Sequence, residues 1–418
     1  MEGWAFVALV FAIYAVAARR LERLSITAPI VLVVAGTVLG AGYLDVLPAN
    51  VTTESIRLIT ELTLALILFA DASTVQLRQA ESDVGLPLRL LAIGLPLTMG
   101  LGALAARLVF PSITWSEAAL VAAIVAPTDA ALGIAVVTNP AVPLRIRRDL
   151  NIESGLNDGI ATPFVTVFLA MVVAGVAHDR WGVEAVAELT RGAGIGIAVG
   201  LVGGMVVRRA RAAGWTTPLS DQLVVLSLAF LGYALAVTVS GNGFVAAFVA
   251  GLVFGAASRG QLHEATEFTD TVGLFSSFVV WIIFGAAFVG PVLRAGVHWR
   301  PILYAVVSLT LVRMVPVALA LVGTRLRPVT VAFVGWFGPR GLASVVFTLI
   351  AFDALDGKAL AGQLVEITTW TILLSVLAHG LSSGPLAAAY GRVISSGPPD
   401  SPELAAQKPL RVRRRSLF

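Results

Sequence analysis

The sequence predicts an all-α, polytopic membrane protein of about 13 transmembrane helices, with inverted repeats and two discontinuous crossing helices. Three observations carry this. Of 418 residues, 57% are hydrophobic and 13% charged, with a mean hydropathy of +0.90, far from the composition of a soluble chain. The apolar stretches are separated by short loops whose basic residues alternate in abundance. Two stretches carry a proline followed by a charge at their centres.

Spans of about 20 residues suit a bilayer core. They fall at 3–18, 27–44, 56–72, 89–106, 116–137, 149–177 and 184–207. Six more fall at 221–239, 243–257, 268–290, 301–322, 329–352 and 363–390. The first resembles a signal peptide in its Ala15-Val16-Ala17 end. It lacks a basic segment in front, and Arg19 and Arg20 lie behind it, so it reads as a retained span. Only Ser240-Gly241-Asn242 separates the eighth and ninth spans. Forty glycines and 20 prolines, many within apolar stretches, suit helices that pack closely or break.

Charge placement tests the count. Twenty of the 29 Lys and Arg residues fall in loops after odd-numbered spans or in the C-terminal tail. Six fall on the opposite side, and Arg57, Arg313 and Arg340 lie within spans or at their edges. This places the N-terminus outside and the C-terminus in the cytoplasm of a multi-pass cell-membrane protein. Residues 1–390 form the membrane domain, with repeats over about 3–177 and 221–390. The tail, 391–418, is rich in Pro, Ser and Arg and is expected to be disordered. Its Arg-Val-Arg-Arg-Arg end reads as a solvated positive-inside tail, with contact to anionic lipid headgroups as the alternative. No soluble basic face suggests nucleic acid as a partner. The absence of cysteine excludes disulfides and thiolate metal sites.

The fifth span contains Ala126-Pro127-Thr128-Asp129 and the twelfth Phe337-Gly338-Pro339-Arg340-Gly341. They lie seven spans apart and therefore cross in opposite senses. One proline in a membrane helix is often only a kink. A matched pair, one break acidic and one basic, predicts inverted repeats whose broken helices cross at a site near the midplane.

The remaining signal is Asn151-Ile152-Glu153-Ser154-Gly155-Leu156-Asn157-Asp158, which puts two carboxylates in the sixth span. A charge at mid-bilayer costs about 2.5 to 3.5 kcal/mol on insertion scales, so such groups have partners or work. At helical spacing Glu153 shares a face with Asn157, and Ser154 with Asp158. Asp158, backed by Ser154 and followed by Gly159, reads as a cation and proton site. Asp129, with Thr128, stands where an unwound backbone offers oxygen to an ion. Glu153 and Arg340 are expected to neutralise each other, with Asn157 hydrogen-bonded to Glu153. Arg313 reads as a second counter-ion or as a snorkelling arginine. Asp71 ends the third span as another acidic candidate. Oxygen ligands suit a hard cation, and the scattered histidines, His178, His263, His298 and His379, argue against a transition metal.

These motifs resemble those of the monovalent cation:proton antiporter-1 family, the NhaP and NHE type of sodium/proton exchanger. Glu153-Ser154-Gly155-Leu156-Asn157-Asp158 resembles the Glu-Ser-x-x-Asn-Asp signature. Pro127-Thr128-Asp129 resembles the Thr-Asp motif, and Gly338-Pro339-Arg340-Gly341 the Arg-Gly motif. The resemblance covers residues 3–390 and implies a NhaA/NhaP-like fold, in a short-tail bacterial or archaeal form. It implies that Asp158 binds the ion or proton, and that Asp129, Ser154 and Thr128 contribute ligands. Transported Na+ would thus sit at Asp158 and Asp129, and Glu153, Asn157 and Arg340 would support the site. Asp71 resembles the acidic position of the third span, although its neighbours depart from the common Phe-Glu-Gly-Gly form.

The expected activity is exchange of a monovalent cation, Na+ first and Li+ or K+ as alternatives, for H+ by alternating access. The expected assembly is a homodimer, and no cofactor is expected. An ionised, empty site is costly to move across an apolar barrier and a neutralised one is not, so a single carboxylate couples the two fluxes. Asparagine at 157, where an aspartate would add a titrating group, favours electroneutral exchange, as the resemblance implies. A channel or uniporter on the same scaffold is the alternative. An intramembrane aspartyl protease using Asp129 and Asp158 lacks its Gly-x-Gly-Asp form, so no enzyme activity is expected.

Overall fold

The computed structural model describes residues 2–40, 43–47, 54–74, 85–129, 132, 134–174, 181–258, 263–355, 359–398 and 401–404. Among the described residues it is helical throughout, with no strand, and all thirteen expected spans fall on helix. Helices α1 (Glu2–Arg23), α2 (Ala28–Leu39) and α3 (Glu54–Thr74) come first. The fourth span is α4 (Gly85–Arg89), a π turn over Leu90–Gly94 and α5 (Leu95–Val109). The fifth is broken into α6 (Trp115–Val125) and α7 (Ile134–Val137). Four helices follow: α8 (Leu144–Ala174), α9 (Trp181–Ala212), α10 (Pro218–Thr238) and α11 (Gly243–Ala257). The tenth span is α12 (His263–Phe284), a π turn over Gly285–Val289 and α13 (Gly290–Ala295). The last three spans are α14 (Trp299–Leu309) with α15 (Leu311–Ala320), α16 (Pro328–Trp336) with α17 (Leu342–Ala354), and α18 (Ala359–Ser395). Among the described residues, seven helices are long and apolar enough to cross a membrane, and four apolar ones are shorter.

Local chemistry sets the boundaries. Thr114 and Glu117 form a capping box that starts α6, and Thr217 and Ser220 form one for α10, which has Pro218 in its first turn. The tripeptide between the eighth and ninth spans is a tight turn. Ser240 has φ of 53°, and the Asn242 side chain accepts the Val245 N–H at 2.9 Å to begin α11.

The chain divides into two compact units. One gathers the described parts of Met1–Thr53, Gly85–Asn157 and Phe278–Phe418; the other gathers those of Glu54–Val84 and Asp158–Ser277. Each draws on both expected repeats. In the second unit α9 packs on α11 through small residues. A Cβ at Gly192, Gly196 or Gly200 would lie 2.5–2.6 Å from the carbonyl oxygen of Asn242, Ala246 or Ala250, so hydrogen is all the space admits. In the first unit the π turn at Gly285 closes on α2, where Thr37 Oγ1 donates to Val33 O at 2.8 Å and reaches Gly285 O at 3.2 Å.

The eleventh span bends at Thr310, at φ −108° and ψ −89°, where α14 gives way to α15. One expectation is corrected. The tail is not disordered from residue 391. α18 continues to Ser395, and Pro402–Leu404 forms a 3-10 turn against the first unit. Its Glu403 is 1% exposed, and Oε1 accepts the Arg327 N–H and the Thr330 hydroxyl, both at 2.8 Å. Arg145 donates to Pro402 O at 2.7 Å. Composition suggests a free end, but a buried carboxylate at the start of α16 fastens this segment. The Arg-Val-Arg-Arg-Arg end and His178 lie outside the described residues.

Candidate functional site

Both prolines break their helices. Pro127 has no N–H to continue α6, and residues 126–129 run without helical structure. α16 ends at Trp336, and Phe337–Gly341 are likewise unwound. Each break exposes backbone groups that hydrocarbon cannot satisfy. The two breaks satisfy one another. Asp129 N–H donates to Pro339 O at 2.7 Å, and the Asp129 carboxylate accepts the Leu342 N–H, at the start of α17, at 3.2 Å. In return Ser344 Oγ donates to Ile124 O at 2.7 Å and Arg340 Nη1 to Ala126 O at 2.8 Å, at the end of α6. Charge follows helix polarity, with the acid at the N-terminus of α17 and the guanidinium at the C-terminus of α6. The glycines flanking Pro339 and Arg340 are required by space. A side chain at Gly338 would run into the Arg313 guanidinium, and one at Gly341 into Asp129.

α8 supplies the third wall. Ser154 Oγ donates to Thr128 O at 2.7 Å, and Asn157 Nδ2 to Thr128 Oγ1 at 2.5 Å. Thr128, Asp129, Val136, Val137, Leu150, Ser154, Phe337 and Pro339 enclose a cavity of about 20 Å³, room for one water-sized occupant. The polar side chains in its wall, Thr128, Asp129 and Ser154, carry oxygen, which suits a hard cation or water. Among the described residues no three His, Asp or Glu side chains cluster to hold a metal.

The ion pair is a correction. Glu153 Oε1 meets Arg313 Nη2 at 2.7 Å. Arg340, the expected partner, is fully buried and donates instead to Ala126 O, with Ser308 O at 3.5 Å. Asn157, expected on Glu153, is used by Thr128. Arg313 is 2% exposed, so it does not snorkel. The kink at Thr310 sits one turn before it.

The structure thus brings Thr128, Asp129, Ser154, Asn157 and Arg340 together, with Glu153 and Arg313 paired beside them in the same unit. Asp158 follows Asn157 directly on α8, is buried, and opens the second unit's share of that helix. Its carbonyl accepts the Thr162 hydroxyl at 2.9 Å. A Cβ at Gly159 would overlap the Phe248 ring, so glycine there answers to packing. Asp71 is half-buried on α3 in the second unit. Sequence reasoning overlooked Ser344, Ser375 and His379, which carry backbone groups of the breaks. The available signal for Ser375 and His379 was polarity at helical spacing within the last span, and for Ser344 its place just after the twelfth-span break.

Comparison with known proteins agrees with this geometry. Residues 6–389 match the family model described as sodium/hydrogen exchanger, transmembrane. The chain is 24% identical to a K(+)/H(+) antiporter NhaP2 of Shewanella oneidensis over 331 residues, covering 78% of this chain and 56% of that protein. It is 25% identical to the Na(+)/H(+) antiporter ApNhaP of Aphanothece halophytica over 368 residues, covering 84% and 67%. The chain therefore spans little more than half the length of the NhaP2 relatives. The solved structure of the sodium proton antiporter MjNhaP1 of Methanocaldococcus jannaschii at pH 8 shares the fold. Its TM-score is 0.77 at 21% identity, over 91% of this chain and 99% of that one. The reciprocal breaks, the Glu153–Asp158 motif and a family match across nearly the whole chain lead to one conclusion: this protein belongs to the sodium/hydrogen exchanger transmembrane family.

Proposed function

We propose that the protein exchanges a monovalent cation, Na+ in preference, for H+ across the cell membrane, electroneutrally and by alternating access. The observation that carries this reading is the small cavity at the crossing, where Thr128, Asp129 and Ser154 stand among apolar side chains, one helical turn from Asp158 along α8. Asp158 is the exchanging carboxylate, neutralised either by the cation or by the proton. Thr128, Ser154 and Asp129 supply oxygens, and Asp71 is a further acidic candidate on α3. The Glu153–Arg313 pair and Arg340 hold the scaffold. The fold is that of inverted repeats, the protomers pair as a homodimer, and the basic loops set the N-terminus outside and the C-terminus in the cytoplasm.

K+ is the second reading, favoured because relatives of similar identity are named K(+)/H(+) antiporters. A passive channel is not favoured, since the family and the relatives above are exchangers. The test is a pH-gradient dye assay in inverted vesicles, challenged in turn with Na+, Li+ and K+. Wild type should dissipate the gradient on cation addition, and Asp158→Asn should not, at equal folded yield. Retained exchange in Asp158→Asn would remove that residue from its role.

A further inference from the structure

We propose that His379 is a positioning residue for the exchange site, acting with Ser375 to hold the break between α16 and α17 without touching the cavity. His379 lies in α18, is 1% exposed, and has both ring nitrogens engaged. Nε2 is 2.9 Å from Trp336 O, the last residue of α16. Nδ1 is 2.9 Å from Ser375 O and 3.1 Å from Ser375 Oγ, one turn earlier on α18. Ser375 Oγ in turn accepts the Arg340 N–H at 2.6 Å. Trp336 is fastened again through its indole N–H, which donates to Ser382 Oγ at 3.0 Å. Ser375, His379 and Ser382, at i, i+4 and i+7, thus form one polar stripe facing the break.

Trp336 O beside Nε2 and Ser375 O beside Nδ1 are both carbonyls, which only accept, so the hydrogen of the neutral ring serves one or the other while Ser375 Oγ accepts the Arg340 N–H. A single imidazole thus sits between the carbonyl that ends α16 and Ser375, whose hydroxyl oxygen holds the amide of Arg340. Between those two points lie Phe337 and Pro339, which wall the cavity, and Pro339 O is the acceptor for Asp129 N–H. Moving the break moves Asp129 and the cavity together.

The inference rests on the exchange reading only for its transport consequence, so the test has two readouts in full-length protein. The first is backbone amide hydrogen exchange over residues 337–342, which needs no cargo. His379→Leu and Ser375→Ala should each accelerate it at least tenfold. His379→Gln, whose amide places a donor where Nε2 stands, should return it to within about threefold of wild type. The second is Na+-driven proton movement in vesicles. His379→Leu should raise the half-saturating cation concentration about tenfold at folded yield within twofold of wild type, and His379→Gln should recover most of that loss. Unchanged amide exchange in His379→Leu, or a glutamine variant as impaired as leucine, overturns the positioning role. Accelerated amide exchange in a protein whose wild type moves no protons overturns the transport reading and leaves the positioning role standing.

Discussion

Glu153 and Arg313 form an ion pair 2.7 Å long between two nearly inaccessible side chains, 160 positions apart in the sequence. Removing either member of such a pair leaves an uncompensated charge, which costs about 3–5 kcal/mol. Arg313→Leu and Glu153→Leu should each sharply lower the folded yield and the melting temperature. The double variant, which removes both charges, should recover a large part of the loss. Fluorescence-detected size-exclusion chromatography with a thermal ramp measures all three, and a double variant no better than the worse single one would refute the pairing.

Asp129 separates two tasks that share one side chain. Its carboxylate accepts the Leu342 N–H, and it stands in the cavity wall. Asparagine keeps an acceptor oxygen and loses the charge, whereas alanine loses both. Asp129→Asn should fold as wild type while its half-saturating cation concentration rises by tenfold or more. Asp129→Ala should in addition lose about 1 kcal/mol of stability, the usual cost of an absent cap. An asparagine variant with unaltered transport would confine Asp129 to capping.

The glycines of α9 offer a matched control within one helix. A Cβ at Gly196 would lie 2.6 Å from Ala246 O, while one at Gly194 meets nothing within 4 Å. Gly196→Val should force α9 from α11 and reduce the folded yield severalfold. Gly194→Ala should leave yield unchanged or slightly improved, since alanine favours helix. Equal effects of the two would mean that the close approach does not govern the packing.

Glu403 gives a pH dependence whose sign follows from its surroundings. Burial acts to raise its pKa, but hydrogen bonds from the Arg327 and Glu403 backbone, the Thr330 hydroxyl and the charge of Arg327 outweigh it and hold the value below the usual 4.5. A depressed carboxylate pKa stabilises the fold above its unfolded value, and that contribution is lost as pH falls through the folded one. The segment should therefore stay docked throughout the neutral range. Glu403→Gln should lower the melting temperature by the same few degrees at pH 6 and pH 8. The difference from wild type should shrink below about pH 4. Melting curves at these pH values provide the check, and a difference that grew between pH 8 and pH 6 would contradict it.

Hydropathy was enough to place all thirteen spans, and the two prolines were enough to place the breaks, because both signals are local. The partner of Glu153 was not legible. Arg313 and Arg340 are each a basic residue in an apolar span, and only the kink at Thr310 and the approach of Ala126 O decide between them. The docked end was hidden for the same reason. Pro398-Pro399-Asp400-Ser401-Pro402 reads as loop from composition, and the Arg327 N–H and Thr330 hydroxyl that donate to Glu403 lie more than 70 residues earlier. His379 looked like one isolated histidine among four, since its use of Trp336 O is a tertiary fact.

The reciprocal breaks also constrain how the chain is made. Asp129 and Leu342 are 213 residues apart, and Ile124 and Ser344 are 220 apart. While the ribosome is still producing the intervening helices, the first break must wait in the bilayer without the donors that the twelfth span brings to the Ile124 and Ala126 carbonyls. Insertion of α16 and α17 is thus the step that commits the nascent chain. A protein truncated before Arg340 would present quality-control machinery with an exposed polar wound rather than a smaller transporter.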